Sequence, residues 1–270
     1  MSRWTIEEPA TLGFDGVVAL KATLIAGNIS VLATEDTPSI QISEVDGPPL
    51  VITHEAGMLT VTHERIWEGV LGWLQRQKVS ATVTVTVPRQ CPVTINLVSA
   101  DAVIAGLAAR ASLKSATGNV TLDGVAGDID ANTVSGAFEA QGVDGKVTFT
   151  SVSGDLALAG GTIDRLAART VSGRVAADVD LLEGGRVEVA TVSGEVALRV
   201  PESASAAVSL TSAAGHIEAS FPEVARQDRP VGRGQGGTIG DGSGRVSVNT
   251  VSGGITLLGR PEEPRNGEIT

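Results

Sequence analysis

The sequence is poor in the residue types from which most catalytic and metal sites are built. Cys91 is the only cysteine in 270 residues, so the chain has no disulfide framework and no thiolate metal cluster. It also has three histidines, no tyrosine and only 3% aromatic residues, which argues against a sugar-binding platform. We therefore predict no catalytic residues, no cofactor and no metal ion.

Basic residues and long apolar stretches are scarce as well. Lysine and arginine number 20 against 31 acidic residues, which gives a net charge of −11. Because phosphate binding requires a basic face, we exclude nucleic acid as a direct partner, and direct membrane insertion is disfavoured. No stretch approaches the roughly 18 apolar residues of a membrane span, and residues 1–14 lack the apolar segment of a signal peptide. We expect a cytoplasmic protein, with the cell surface as the less favoured location.

A four-residue tag, Thr/Ser-Val-Ser-Gly, recurs through the chain. Complete copies end at Gly136, Gly154, Gly173, Gly194 and Gly253, and degenerate copies end at Ala100, Gly118 and Gly215. Successive tags are about 18–21 residues apart, except that the interval before the last tag is twice the length of the others. We interpret that long interval as two coils, with one tag lost to an insertion. A short fixed period predicts a solenoid, in which each coil buries its apolar face only against its neighbours.

Each coil is predicted to contain two short strands and two corners. Apolar residues alternate in two successive frames, which are Val134, Phe138 and Ala140, then Val143, Val147 and Phe149. Alternation by two is the strand period, and the break between the frames is a corner. The glycine of each tag would provide a positive φ or close backbone approach at the corner. The Thr and Ser of the tags would form hydroxyl ladders from coil to coil.

The repeats divide the chain into three parts. We predict an N-terminal segment of strands and hairpins at residues 1–96 that caps the solenoid, repeats at 97–260 and a flexible tail at 261–270. Residues 24–29 resemble a degenerate copy of the tag, so the solenoid could begin before residue 97. The prolines of the tail would protect the edge of the last strand. Residues 221–244 are a glycine-rich corner insertion rather than a phosphate loop, because no Gly-Lys-Ser/Thr motif follows.

One segment, residues 64–78, interrupts the β pattern. Its apolar residues recur at helical spacing, although Gly69 and Gly72 weaken a helix. We favour a hydrophobic lid over the open end of the solenoid, and insertion into a membrane interface is disfavoured because the basic face is thin. If the segment is exposed instead, it would contact a protein partner through Trp67, Leu71, Trp73 and Leu74.

Chemical roles for the remaining polar residues are disfavoured. Asp123, Asp128 and Asp130 cluster around one coil and would suit a polysaccharide-active β-helix enzyme, but outward charges on a coil are usually solvated. Calcium-binding β-rolls also repeat glycine, yet here the residue after the repeat glycine varies in charge and cannot supply a ladder of oxygen ligands. His54 and His63 lack a third metal ligand, and we assign them to solvated strand ends.

The tags, with the stretch from Val83 to Pro88 before them, resemble the bacterial "putative adhesin" β-strand-repeat family, also called toastrack domains. The stretches from Phe14 to Val17 and from Trp67 to Leu74 are similar to its actinobacterial branch. The resemblance covers nearly the whole chain. It implies a right-handed parallel β-helix-like solenoid, a frequent association with envelope-stress modules, and no catalytic residues to transfer.

Two functions remain from the sequence. The first is a non-enzymatic protein-interaction scaffold with partners of unknown identity, which the resemblance links to envelope-stress signalling. The alternative is a surface adhesin or glycan-binding protein, which would require export from the cell. The fold expectation common to both is an all-β solenoid of about 18–21 residues per coil with an N-terminal β-hairpin cap.

Overall fold

The computed structural model describes residues 2–63, 79–227 and 232–261, and within these ranges it contains strands and no helix. The 24 strands are β1 (Ser2–Ile6), β2 (Ala10–Gly13), β3 (Ala19–Leu24), β4 (Gly27–Thr34), β5 (Ser39–Asp46), β6 (Leu50–Glu55), β7 (Met58–His63), β8 (Ser80–Pro88), β9 (Val93–Leu97), β10 (Asp101–Ala105), β11 (Ala111–Ser115), β12 (Val120–Asp123), β13 (Ala126–Thr133), β14 (Phe138–Gln141), β15 (Asp144–Ser151), β16 (Leu156–Thr170), β17 (Val175–Thr191), β18 (Val196–Pro201), β19 (Ala206–Ser212), β20 (Ile217–Ala219), β21 (Ala225–Gln227), β22 (Arg233–Ile239), β23 (Gly244–Thr250) and β24 (Ile255–Arg260).

The strands form two facing stacks, which we call sheet 1 and sheet 2. Strands β16 and β17 are long enough to contribute their first halves to sheet 2 and their second halves to sheet 1. Sheet 1 has the order β1, β6, β7, β3, β9, β11, β13, β15, β16, β17, β23, β19, β22, β21. Sheet 2 has the order β2, β5, β8, β4, β10, β12, β14, β16, β17, β18, β24, β20.

The register of the parallel strands gives the length of each coil. Val120 is opposite Phe138, which is opposite Leu156, and the corner residues Asn119 and Ala137 show the same separation of 18 in sequence. Later coils are longer, because Asp178 is opposite Arg199 at a separation of 21. The predicted all-β solenoid of about 18–21 residues per coil is confirmed.

Alternating apolar residues from both sheets fill the narrow interior. Val143, Val147 and Phe149 are buried as their frame predicts, and the ring centroids of Phe149 and Phe138 lie 5.8 Å apart across the two sheets. The other frame is partly wrong, since Val134 is 53% exposed. It lies in the corner between β13 and β14, and a corner resets the alternation of side-chain directions.

In six of the tags the first hydroxyl accepts the N–H of the tag glycine and so closes its own corner. In the tag that ends at Gly154, the glycine N–H donates to Ser151 Oγ at 2.7 Å, and both residues are buried. The same bond joins Thr133 to Gly136, Thr170 to Gly173, Thr191 to Gly194, Ser212 to Gly215 and Thr250 to Gly253. Ser and Thr at this position therefore satisfy a buried backbone donor.

The tag glycine allows neighbouring corners to touch, and it does not supply a positive φ. A Cβ placed on Gly154 would lie 2.3 Å from the carbonyl oxygen of Gly136, which is shorter than any real contact. Its φ lies outside the left-handed region, whereas Gly127 and Gly145, at other corners, have φ of 129° and 116°. Of the two predicted reasons for glycine, close approach applies at the tag.

Coil order along the solenoid differs from chain order at both ends. The coil of β3 and β4 lies between that of β7 and β8 and that of β9 and β10. Likewise, the coil of β23 and β24 lies between that of β17 and β18 and that of β19 and β20. The first and the last coil in chain order therefore each have hydrogen-bonded neighbours on both sides.

This interleaving corrects two predictions. The long interval before Gly253 is not two successive coils, because the chain completes one coil, reverses through β21 and β22, and inserts its last coil beside the tag at Gly194. Strand β24 is also not an edge strand, so the proline tail has no edge to protect there. Residues 262–270 of the predicted tail lie outside the described residues.

Antiparallel strands close both sheets at one end of the solenoid and sheet 1 at the other. At one end β6 pairs with β7 as the predicted hairpin, and β5 pairs with β8. The outermost strands are β1 and β2 at this end and β20 and β21 at the other, with five, four, three and three residues. Short edges limit strand-to-strand aggregation of a stacked β protein.

An ion cluster on sheet 2 ties the inserted C-terminal coil to its neighbours. Arg199 Nε donates to Asp178 Oδ2 at 2.9 Å, and Arg260 Nη1 donates to Asp178 Oδ1 at 2.6 Å. Arg260 also pairs with Asp180. The hydrogen bond from Arg199, assisted by the charge of Arg260, lowers the pKa of Asp178 below its ordinary value. Three strands, β17, β18 and β24, are joined by this cluster.

Candidate interaction surface

The predicted protein-contact residues Trp67, Leu71, Trp73 and Leu74 lie outside the described residues. The three aspartates do not form a site, because Asp123 ends a strand of sheet 2 while Asp128 and Asp130 lie on sheet 1. Asp130 accepts a hydrogen bond from Asn132 at 3.0 Å. The structure thus places Asp123 on a different sheet from Asp128 and Asp130.

The histidine assignment is wrong for His63, which is 2% exposed rather than solvated. Its Nδ1 lies 3.3 Å from the carbonyl oxygen of Pro48, and burial lowers the pKa of its imidazole. His54 packs edge-on against Phe14 with ring centroids 5.7 Å apart. Among the described residues, the Nε2 atoms of both imidazoles are buried without a hydrogen-bond partner.

The second residues of the tags form an exposed apolar ladder along one corner of the solenoid. We call it the valine ladder, and its nine rungs are, in stacking order, Ile25, Val98, Ala116, Val134, Val152, Val171, Val192, Val251 and Ala213. The six valines are each 47–53% exposed. At about 4.8 Å per coil the ladder is ~38 Å long.

Hydrogen bonds on both sides of each rung fix the ladder in place. The third residue of a tag donates its backbone N–H to the carbonyl of the preceding rung, as Ser153 does to Val134 at 2.8 Å. Its hydroxyl donates to the same carbonyl at 3.3 Å. With the first tag residue turned inward and the glycine packed on the neighbouring coil, the valine and the serine after it face outward, and the valine is the apolar one of the two.

Two mostly polar rows flank the ladder. The row on sheet 1 immediately precedes each tag and consists of Asn96, Lys114, Asn132, Thr150, Arg169, Ala190, Asn249 and Thr211. The row leading into sheet 2 follows the last residue of each tag and consists of Asp101, Asn119, Ala137, Asp155, Arg174, Glu195, Gly254 and His216. Within the second row, Arg174 pairs with Glu195 at 3.3 Å, and Asp155 Oδ1 accepts the N–H of Arg174 at 2.7 Å.

Two surface cavities are lined by basic and polar side chains. One of about 460 Å³ is lined by His216, Arg226 and Arg233 together with glutamine and glycine residues, and no carboxylate is among its described lining residues. The other, of about 240 Å³, lies on sheet 1 around Arg169 and Glu188. In the described part of the chain, no three His, Cys, Asp or Glu residues converge as metal ligands.

Sequence reasoning missed the valine ladder because it assigned Val134 to the buried frame. A usable signal was nevertheless present. The valine lies between a hydroxyl residue and a Ser-Gly pair in every complete tag, and those neighbours mark a corner rather than a strand. An apolar residue fixed in a corner of every coil is not required for the core, so its repetition indicates a surface feature.

The architecture defines a β-solenoid repeat protein with a continuous apolar corner. The chain belongs to the Toastrack DUF4097 family, whose sequence profile matches residues 49–258. The resemblance noted from the tags is thus confirmed at the level of the family. No curated protein matches the chain.

Solved structures that match this chain have low sequence identity to it. A "putative adhesin" from Bacteroides fragilis is 10% identical, with coverage of 93% of this chain and 98% of the other and a TM-score of 0.39. A "putative cell adhesion protein" from Clostridium sporogenes is 12% identical, with coverage of 94% and 100% and a TM-score of 0.27. A "putative lipid binding protein" from Parabacteroides distasonis is 12% identical, with coverage of 96% and 97% and a TM-score of 0.29.

A search of the described residues for a helix with the length and apolarity to cross a membrane finds none.

Proposed function

We propose that this protein is a non-enzymatic protein-interaction scaffold that binds through the valine ladder. The observation that carries the proposal is the repetition of one half-exposed valine at the same corner of successive coils. A folded protein seldom leaves a continuous apolar strip on its surface unless another molecule covers it.

The energetics of the ladder support binding. Burial of a fully exposed valine contributes roughly 1.5–3 kcal/mol, so each half-exposed rung offers about 1 kcal/mol and the six valines about 6 kcal/mol before the costs of association. Those costs are reduced because the corners are already fixed by backbone and hydroxyl hydrogen bonds. A rigid strip of this kind loses little conformational entropy when a partner binds.

The same proposal includes a cellular location and a process for the scaffold. We further propose a cytoplasmic location and, from the family resemblance, a role in envelope-stress signalling. Trp67 and Trp73 would provide a second contact with a protein partner if their segment is exposed.

In-cell photo-crosslinking tests whether the ladder contacts protein. A photoreactive amino acid replaces Val152 on the ladder and, in a matched control, the exposed Thr121 on the outer face of sheet 2. We expect irradiation to give defined protein adducts from position 152 that are absent from position 121. Absence of adducts from position 152, or the same adducts from both positions, would contradict the proposal.

A further inference from the structure

We propose that the valine ladder binds the valine ladder of a second copy of this chain, with the two solenoids antiparallel. The inference rests on the proposed function, because it names the partner of the same surface. Three properties of the ladder carry it, which are its spacing, the order of its large and small rungs, and the order of charges beside it.

The spacing of the rungs restricts the partner. Each rung repeats at the coil-to-coil distance of roughly 4.8 Å, set by backbone hydrogen bonds between adjacent corners. A partner that packs against every rung must present side chains at the same spacing. A second copy meets this requirement because its ladder has the same spacing. A twofold axis between the two copies makes the contact self-complementary and closed.

The sequence of rungs matches itself when it is reversed about the midpoint between Val152 and Val171. Val152 then faces Val171 of the second copy, and Val134 faces Val192. The two alanines within the paired length each face a valine, because Ala116 is opposite Val251 and Ala213 is opposite Val98. All eight rungs from Val98 to Ala213 are paired, and small residues meet large ones.

The charges of the flanking rows also match in this arrangement. In an antiparallel pair each row faces the same row of the second copy, which runs in the opposite direction. Asp155 therefore faces Arg174 of the second copy, twice by symmetry, and the exposed Asp101 faces His216. On the other flank, Lys114 and Arg169 face uncharged residues. No like charges are opposed in either row.

A parallel pair lacks these features. The row on sheet 1 would then face the row of sheet 2 at the same rung, which opposes Arg169 to Arg174 of the second copy. Ala116 would also face itself and leave a gap in the apolar strip. The like charges that face one another would disfavour the parallel pair. Such charges select between arrangements more than they determine the affinity of the antiparallel pair.

The strip with its two flanking rows forms an interface at the small end of the range. The eight paired rungs span ~34 Å at the strand spacing. A standard interface buries about 800 Å² per partner, which a strip of this length reaches at a width of ~24 Å. The polar rows on both flanks must therefore take part, in agreement with their complementary charges.

The mass of the purified full-length chain in solution tests this inference. Light scattering on the protein at 100 µM, about a hundred times a micromolar dissociation constant, should give close to twice the chain mass of 27.4 kDa. The variant Val171→Glu places two carboxylates beside the twofold axis and should give the single mass with an unchanged circular dichroism spectrum. The control Val103→Glu, at an exposed valine of sheet 2 away from the ladder, should keep the double mass.

A single mass for the unmodified chain would overturn the inference, and so would a double mass that Val171→Glu does not change. If the unmodified chain is a monomer while position 152 still gives adducts with other proteins in cells, the scaffold function stands with a different partner. If position 152 gives no adducts, the proposed function fails as well, so the two failures are distinguishable.

Discussion

Replacement of a single tag glycine by alanine tests the corner geometry most sharply. In Gly154→Ala the new methyl would lie 2.3 Å from the carbonyl oxygen of Gly136 and 2.9 Å from Ser151 Oγ. The backbone of Gly136 belongs to the next coil and cannot move without parting the stack. Because φ at Gly154 is outside the left-handed region, alanine causes no backbone strain, and the whole effect is steric.

The expected cost follows from these contacts. Over-packing of a filled interior costs about 1–3 kcal/mol, and the upper end applies here because the obstructing atom is backbone. With about 2–4 °C per kcal/mol for a chain of this size, a loss of ~3 kcal/mol lowers the melting temperature by about 6–12 °C. Thermal unfolding followed by circular dichroism measures the change.

A matched control separates the steric effect from the loss of a glycine. Gly13 has no positive φ, and nothing lies within 4 Å of a Cβ placed on it, so Gly13→Ala should change the melting temperature by about 2 °C at most, on the scale of ordinary surface substitutions. Equal melting temperatures for Gly154→Ala and Gly13→Ala would refute the account of glycine as a close-approach residue.

Three further predictions concern buried polar groups. Thr191→Val should cost about 1–3 kcal/mol in chemical denaturation, since the buried N–H of Gly194 loses its acceptor, whereas Ser193→Ala at the exposed neighbouring hydroxyl should cost under about 0.5 kcal/mol. Burial lowers the pKa of His63 from 6.5, so the unfolded chain binds a proton first and the free energy of unfolding should fall as pH drops below 6.5; His63→Gln should remove that part of the pH dependence, and an unchanged slope would count against it. Burial raises the pKa of the Cys91 thiol to about 11, so a thiol reagent at pH 8 should modify the native chain hardly at all and the denatured chain once; rapid modification of the native chain would contradict this.

The repeat predicts the coil but not the order of coils. The tag period fixes which residues turn and which lie in strands, because hydroxyl, valine and glycine have distinct roles at a corner. It does not determine which coil is adjacent to which, since every tag fits every other. The insertion of the tag at Gly253 between those at Gly194 and Gly215 is therefore invisible in the sequence.

The candidate surface shows a second limit. Alternation is a reliable guide within a strand, as Val147 and Phe149 demonstrate, but it fails at Val134 because the chain turns before the next strand begins. His63 illustrates the same point for polar residues. Its position at the end of β7 indicates solvent, yet the packing of the antiparallel cap buries it.

Thiol cross-linking between two variants, each with one added cysteine, probes the pairing of the valine ladders. The variants are Val134→Cys and Val192→Cys, and the native Cys91 is buried and does not compete. With a linker shorter than about 10 Å, the account predicts a covalent dimer when the two variants are mixed and little product from either alone, because identical positions lie three rungs, ~14 Å, apart. Cross-linking of each variant with itself, or no product from the mixture, would contradict the account.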